Sequence, residues 1–180
     1  AEGFLFDCKG SSAFVHPDNI VLMLGLLASN VTANLMKILN PTIEFQSGNV
    51  GTVPVLFDEL NVQRGDIEKV VARCVEIAKA DWDSHETSWD YTASPLVLSP
   101  LSSRLEEDYG GYVDSVGAAQ QEMRRLQQEN NRLVIDAYSL GEEMSPEVAE
   151  DHITLYCPDR EEDIKRLLSY AIGCIMGRYN

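Results

Sequence analysis

Four carboxylates, Asp81, Asp83, Glu86 and Asp90, crowd around Trp82 and Trp89. Divalent cations take oxygen ligands of this kind. A calcium loop also needs a glycine at its sharp turn, and this stretch has none. The residues therefore read as a solvated acidic loop pinned by two buried indoles. Pro158-Asp159 with Asp163-Ile164-Lys165 has the residue types of a nuclease metal site. That chemistry sets its carboxylates and lysine on adjacent strands around one metal. Here all of them open one helix, where acidic residues are expected from capping and the helix dipole. His16, His85 and His152 lie far apart, and no Ser or Cys stands in a nucleophile-elbow context, so a hydrolytic triad is not expected. Lys9, Ser11, Ser12 and Lys37 are a thin polar-basic set of types that contact phosphates, and are the candidate DNA contacts. No catalytic, cofactor-binding or metal-ligating residue is expected.

Composition narrows the classes further. The chain has 180 residues, 44% of them hydrophobic, which suits a folded domain or a small lobe with a helical extension. Fourteen basic residues against 29 acidic ones give a formal charge of -15. Phosphate neutralisation needs a basic surface, so these residues are not expected to bind nucleic acid alone. Such acidity also suits a DNA mimic, but helix faces that need burial argue against one. Cys8, Cys74, Cys157 and Cys174 form no C-x-x-C pair and have no histidine at ligand spacing, so reduced thiols are expected rather than a zinc site. The most apolar run, 20–28, is too short to span a bilayer. No basic leader precedes an apolar segment, and a cytoplasmic location without membrane contact is expected.

The elements that would position these residues follow from periodicity. Residues 3–15 read as a strand, a Gly-Ser turn and a second strand. Pro17-Asp18 opens a helix, with Asp18 as N-cap and Leu24, Leu27, Ala28, Val31, Leu35, Ile38 and Leu39 on one stripe. Asn40-Pro41 ends it, because the residue before proline avoids the helical region. Two extended runs, 42–46 and 52–57, flank a turn at Ser47-Gly48-Asn49. Gly65-Asp66 starts a helix with Ile67, Val70, Val71, Cys74, Ile77 and Ala78 on one face. A loop over 81–100 follows, long enough to require packing on a neighbour. Val116, Ala119, Met123, Leu126, Asn130, Leu133, Ala137 and Leu140 alternate at spacings of three and four. This heptad pattern predicts a long coiled-coil-like helix, with Asn130 at an a position that can fix register. Its partner is not specified by the pattern. Ser145-Pro146 predicts a short helical turn. Asp159 with Glu162 forms a capping box for a last helix that buries Ile164, Leu167, Leu168, Ala171, Ile172, Ile175 and Met176.

Four stretches add a family resemblance. They are Gly25-Leu-Leu-Ala-Ser-Asn30, then Leu39-Asn-Pro-Thr-Ile-Glu-Phe-Gln-Ser-Gly-Asn-Val50 running on to Val53-Pro-Val55, then Asp81-Trp-Asp-Ser-His-Glu-Thr-Ser-Trp-Asp-Tyr91, and finally 159–179. In this order they resemble the C-terminal part of the adenine-specific DNA methyltransferases of BREX phage-defence systems (the PglX type), and related fused restriction-modification enzymes. The resemblance implies an α+β, mainly α fold: a small partial α/β target-recognition lobe, then a helical, coiled-coil-like C-terminal region. Its expected divisions are the end of the recognition lobe at 1–57, a connecting helix at 58–80 and a helical spacer or docking region at 81–180. It also implies a parent enzyme that binds S-adenosylmethionine upstream and methylates adenine at N6. The expected partners are DNA through that parent, its catalytic domain, and other defence proteins if the helices serve as a docking module without DNA contact. Asn40-Pro41-Thr42 keeps only half of the Asn-Pro-Pro-aromatic loop that holds a flipped adenine, and reads better as a helix stop. No catalytic residue is carried over. Trp82, Trp89, Asn130 and Asp159 are expected to be structural.

Overall fold

The computed structural model describes residues 12–40, 47–98 and 104–179, and among them no residue lies in a strand. The helices are α1 (Ile20–Leu27), α2 (Asn30–Leu39), α3 (Ser47–Val50), α4 (Phe57–Val62), α5 (Arg64–Asp83), α6 (Pro95–Leu98), α7 (Leu105–Ala137) and α8 (Arg160–Ile175). The mainly helical expectation therefore holds. The expected α/β lobe is not seen in the described residues. Its strands over 3–11 and 42–46 lie outside them, 12–15 is irregular, and the 52–57 run gives way to α4. Ser47-Gly48-Asn49 sits in the single turn of α3 rather than between strands. The chain forms two compact units, 1–72 with 126–148 and 73–125 with 149–180, so α5 and α7 contribute to both.

In the first unit, the single helix expected over 18–39 is two helices bent by 73°. The cause lies at Ser29. Its hydroxyl accepts from the Thr32 amide at 3.3 Å and donates to the Leu26 carbonyl at 2.7 Å. Thr32 Oγ1 donates to the same carbonyl at 2.7 Å. Ser29 is thus a true N-cap for α2, and a helix restarting there must change direction. Asp18 is not a cap: it lies in a 3-10 turn, Pro17–Asn19, and its carboxylate faces His16. That turn is held from α5, where Arg64 donates to the Asp18 carbonyl at 2.9 Å and to Asn19 Oδ1 at 2.7 Å. α2 stops at Leu39, and Asn40 leaves helical geometry, as the following proline requires.

The core of this unit gathers Leu22 and Leu26 of α1, Val31 of α2, Leu60 of α4, Ile67 and Val71 of α5, and Leu133, Val134, Ile135 and Ala137 of α7. Over 126–137 the heptad helix therefore has its partners within this chain. Gly25 is where α1 comes closest to its neighbours. A Cβ there would stand 2.8 Å from Ile67 Cγ2, 2.9 Å from Asn130 Oδ1 and 3.0 Å from Val71 Cγ2. Asn130 is buried and donates from Nδ2 to the Gly25 carbonyl at 2.9 Å, reaching an acceptor in the last turn of α1. Asn131 beside it accepts from the Asn30 amide at 3.0 Å and donates to the Pro146 carbonyl at 3.1 Å. The expected helical turn at Ser145-Pro146 is absent: the segment is irregular, and the next turn is a 3-10 helix at Glu150–His152. α7 ends with Ser139 at φ 55 and the Leu140 amide donating back to the Ile135 carbonyl at 3.0 Å, a left-handed cap built on a non-glycine residue.

Replacing Gly25 by alanine sets two effects against each other. The gain in helix propensity is about 0.5–1 kcal/mol. Overpacking against three close atoms costs about 1–3 kcal/mol. Gly25→Ala is expected to lower the urea midpoint, with a net cost of up to about 2.5 kcal/mol; a raised midpoint would contradict this packing.

Candidate functional site

The second unit holds a connected polar cluster around Asp163. Asp163, in the first turn of α8, is only 3% exposed. Its carboxylate accepts from Tyr156 Oη at 2.9 Å and Tyr109 Oη at 3.3 Å, and lies 3.4 Å from Arg166 Nη1. The Arg166 guanidinium stacks 4.7 Å from the Tyr156 ring centre and donates to the Ser84 carbonyl at 3.0 Å. The Tyr156 amide donates to Asp81 Oδ1 at 3.1 Å, and the His85 ring meets the Tyr156 ring edge-on. Burial pushes the phenols of Tyr112, Tyr156 and Tyr109 up, Tyr112 to about 12. Such a constellation has the residue types of an active site, but its groups bond to one another. The cavity beside it, lined by Ser84, Glu86, Tyr112, Asp163 and Arg166 among others, is about 10 Å³. That is room for about one water-sized probe, and Arg166 ties α8 to the 84–91 loop through the Ser84 carbonyl.

The acidic loop uses its carboxylates in the same way. Asp83 accepts from Ser88 Oγ at 2.7 Å, Lys79 bonds both Asp83 and Asp90, and Glu86 accepts from Ser169 Oγ at 3.1 Å. Lys79 is pushed up to about 12 by Asp83 and then Asp90, and its ammonium holds Asp83 below the usual carboxylate range. The expected pinning by two buried indoles is corrected: Trp82 is 55% and Trp89 87% exposed. The buried residues of this stretch are Ser88, Ser94 and Leu96. Among the described residues no group of His, Cys, Asp and Glu is placed to hold a metal. A larger cleft of about 370 Å³ is lined by Ile77, Ala80, Leu98, Val116 and Ala119, with the Arg73–Glu122 ion pair among its walls.

Asp159 caps α8, accepting from the Glu162 amide at 2.9 Å. The buried face expected of α8 is reversed. Ile164, Leu168, Ile172, Ile175 and Met176 are 40–86% exposed, whereas Asp163 and Gly173 are buried. Polar and aromatic contacts explain the reversal. Asp163 bonds Tyr109 and Tyr156, Arg166 and Ser169 bond the loop, and Tyr170 packs on Tyr91 and stacks on Tyr179 at 5.2 Å. After Gly177 at φ 73, the Arg178 amide returns to the Gly173 carbonyl at 2.8 Å. That left-handed turn lays Tyr179 over Gly173, where a Cβ would come within 2.5 Å of the ring.

Of the candidate DNA contacts, Lys9 and Ser11 lie outside the described residues. Ser12 is exposed, and Lys37 is exposed on α2 with its ammonium 3.3 Å from Asn34 Oδ1. Sequence reasoning missed Asp163, Arg166, Tyr156 and Asn131. An aspartate and an arginine three apart at a helix start look like ordinary surface charge until the aromatic residues that enclose them are placed.

No family model matches the chain. Two curated proteins match along 99% of it. One, "Adenine-specific methyltransferase PglX" of Lacticaseibacillus casei (strain Zhang), is 28% identical over 183 residues. The other, "Adenine-specific methyltransferase BrxX" of Escherichia coli O9:H4 (strain HS), is 25% identical over 200 residues. The chain is similar, from end to end, to a segment of adenine-specific methyltransferases. It spans 15% and 16% of the length of these two relatives. Asp163 itself faces a space far below the roughly 300 Å³ at which small-molecule pockets begin, whereas Asp81, Ser84 and Tyr112 beside it also line the 370 Å³ cleft. The wider cleft mixes apolar walls with polar ones, Asp81, Ser84, Tyr112 and Ser115 among them, and its arginine is already bonded by Glu122 and Glu76.

Two outcomes test this geometry. Asp163→Ala leaves two phenols without their acceptor and Arg166 without its carboxylate partner, though still bonded to the Ser84 carbonyl, and is expected to cost about 2–3 kcal/mol, against about 1 kcal/mol for Asp163→Asn, both read from urea unfolding. Equal effects would contradict a role for the carboxylate charge. The raised tyrosines predict alkaline sensitivity. An unfolded tyrosine releases its proton near pH 10 and the folded Tyr112 only near 12, so the contribution is complete below about pH 10 and lost as pH rises to about 12. Tyrosinate absorbance should therefore rise together with loss of helical circular dichroism in that window.

Proposed function

We propose that these residues are a non-catalytic segment of a site-specific DNA adenine-N6 methyltransferase of a phage-defence system, and that they contribute to target recognition and domain orientation. The observation that carries this is the match to PglX and BrxX over 99% of the chain. Most of a protein of that length lies outside the matched segment, and the proposal assigns the S-adenosylmethionine site and the base chemistry to that remainder. DNA would be met through the whole enzyme, since a charge of -15 opposes strong contact by this segment alone. Residues 1–57 would close the recognition lobe, 58–80 connect it, and 81–180 orient it. A cytoplasmic location follows from the proposed activity. Among the described residues no single helix is long and apolar enough to cross a membrane.

The polar-basic set gives the reading a direct test in the full-length enzyme. Substituting Lys9, Ser11, Ser12 and Lys37 together by alanine should weaken DNA binding and reduce the salt slope by about 2, one for each lost lysine–phosphate contact. S-adenosylmethionine affinity should stay unchanged. An unchanged salt slope would remove these residues from the DNA interface. A full-length protein that transfers no methyl group to DNA adenine would remove the methyltransferase reading, and would favour a helical module that docks other defence proteins.

A further inference from the structure

α8 turns its aliphatic residues outward. Ile164, Leu168, Ile172 and Ile175 recur every three or four residues, and Met176 extends the stripe. A surface helix ordinarily buries such a stripe. Here the opposite face is clamped by Asp163, Arg166, Ser169 and Tyr170, and the tail folds onto Gly173 on that clamped side. Neither contact set covers the stripe. We propose that the outward face of α8 docks onto an apolar surface of the same polypeptide, in the part of the longer protein beyond these residues. The proposal rests on the reading of the chain as a segment of such a protein.

Size decides between this occupant and a second copy. A helix of 16 residues is about 24 Å long and its contact strip about 10 Å wide, so the strip covers roughly 250 Å². Even doubled for side-chain relief, it stays below the roughly 800 Å² per partner of a stable two-molecule interface. A segment tethered to its target faces an effective concentration in the millimolar range, and a strip of this size is then sufficient. The matched relatives supply the tether, since the segment is 15% of one and 16% of the other. Charge gives no competing direction. Lys165 pairs with Glu161 at 2.8 Å and approaches Glu162, which leaves only one net negative charge on this rim, so the occupant is selected chiefly by apolar shape. Acidic Glu161 and Glu162 also disfavour an anionic lipid surface.

Photochemical carbene footprinting of residues 164–176 tests the assignment, comparing the 180-residue chain with the full-length protein. Labelling should fall about fivefold or more in the full-length protein, because a docked face excludes the reagent with the solvent. Leu168→Glu with Ile172→Glu should restore labelling in the full-length protein while leaving the helical content of the 180-residue chain unchanged. Equal labelling in both forms overturns the proposal. So does a concentration-dependent dimer of the 180-residue chain that Ile172→Glu dissociates, which assigns the face to a second copy. A DNA-methylation assay on the same full-length sample separates the two readings. Methylation with equal labelling sinks the docking face and keeps the enzyme assignment. Protection without methylation sinks the enzyme assignment and keeps the face.

Discussion

The adjacent pair Asn130-Asn131 governs the first unit. One amide reaches the last turn of α1 and the other receives the first amide of α2, so both ends of a 73° bend are tied to a single turn of α7. Buried amides of this kind are costly unless bonded, and their bonds are directional. The aliphatic core around them fixes how much area is buried. The asparagines fix which helix ends meet. Gly25 completes the arrangement by letting α5 and the Asn130 amide approach where any side chain would intervene.

The second unit is organised on a different balance. A single buried carboxylate, two tyrosines and a stacked arginine attach α8 to the acidic loop, and the loop's other carboxylates are bonded to lysine or serine. Hydrogen bonds to a charged acceptor are stronger than neutral ones, which lets a polar face win the packing contest against an aliphatic one on the same helix. The apolar stripe is the residue of that contest.

Features set by local chemistry were readable from the sequence. The stop at Asn40, the start of α5 near Gly65 and the Asp159 cap each depend on a few neighbouring residues, and all three occur, whereas the heptad over 116–140 located α7 but not its start at Leu105. Failures came where long-range partners decide. Periodicity alone cannot place a break at Ser29, since that break needs the Leu26 carbonyl to accept two hydroxyls. Nor can it tell which face of α8 is buried, because Asp163 and Arg166 gain their value only from Tyr109, Tyr156 and Ser84. The indoles misled for a similar reason. Trp82 and Trp89 are large enough to suggest burial, but the residues buried there are Ser88, Ser94 and Leu96. The strands expected near 12–15 and 52–57 rested on β-branched and aromatic content, which is a weaker prior than the helix-forming context around them. The family likeness was legible because it rests on residue order rather than on packing.

The ring of Tyr179 lying against Gly173 has a practical consequence. The α-protons of that glycine sit within the magnetic anisotropy of a phenol, so their resonances should be displaced from ordinary helical glycine values. A single nuclear shift thus reports whether the closing turn at Gly177 is latched, without any probe being attached to the protein.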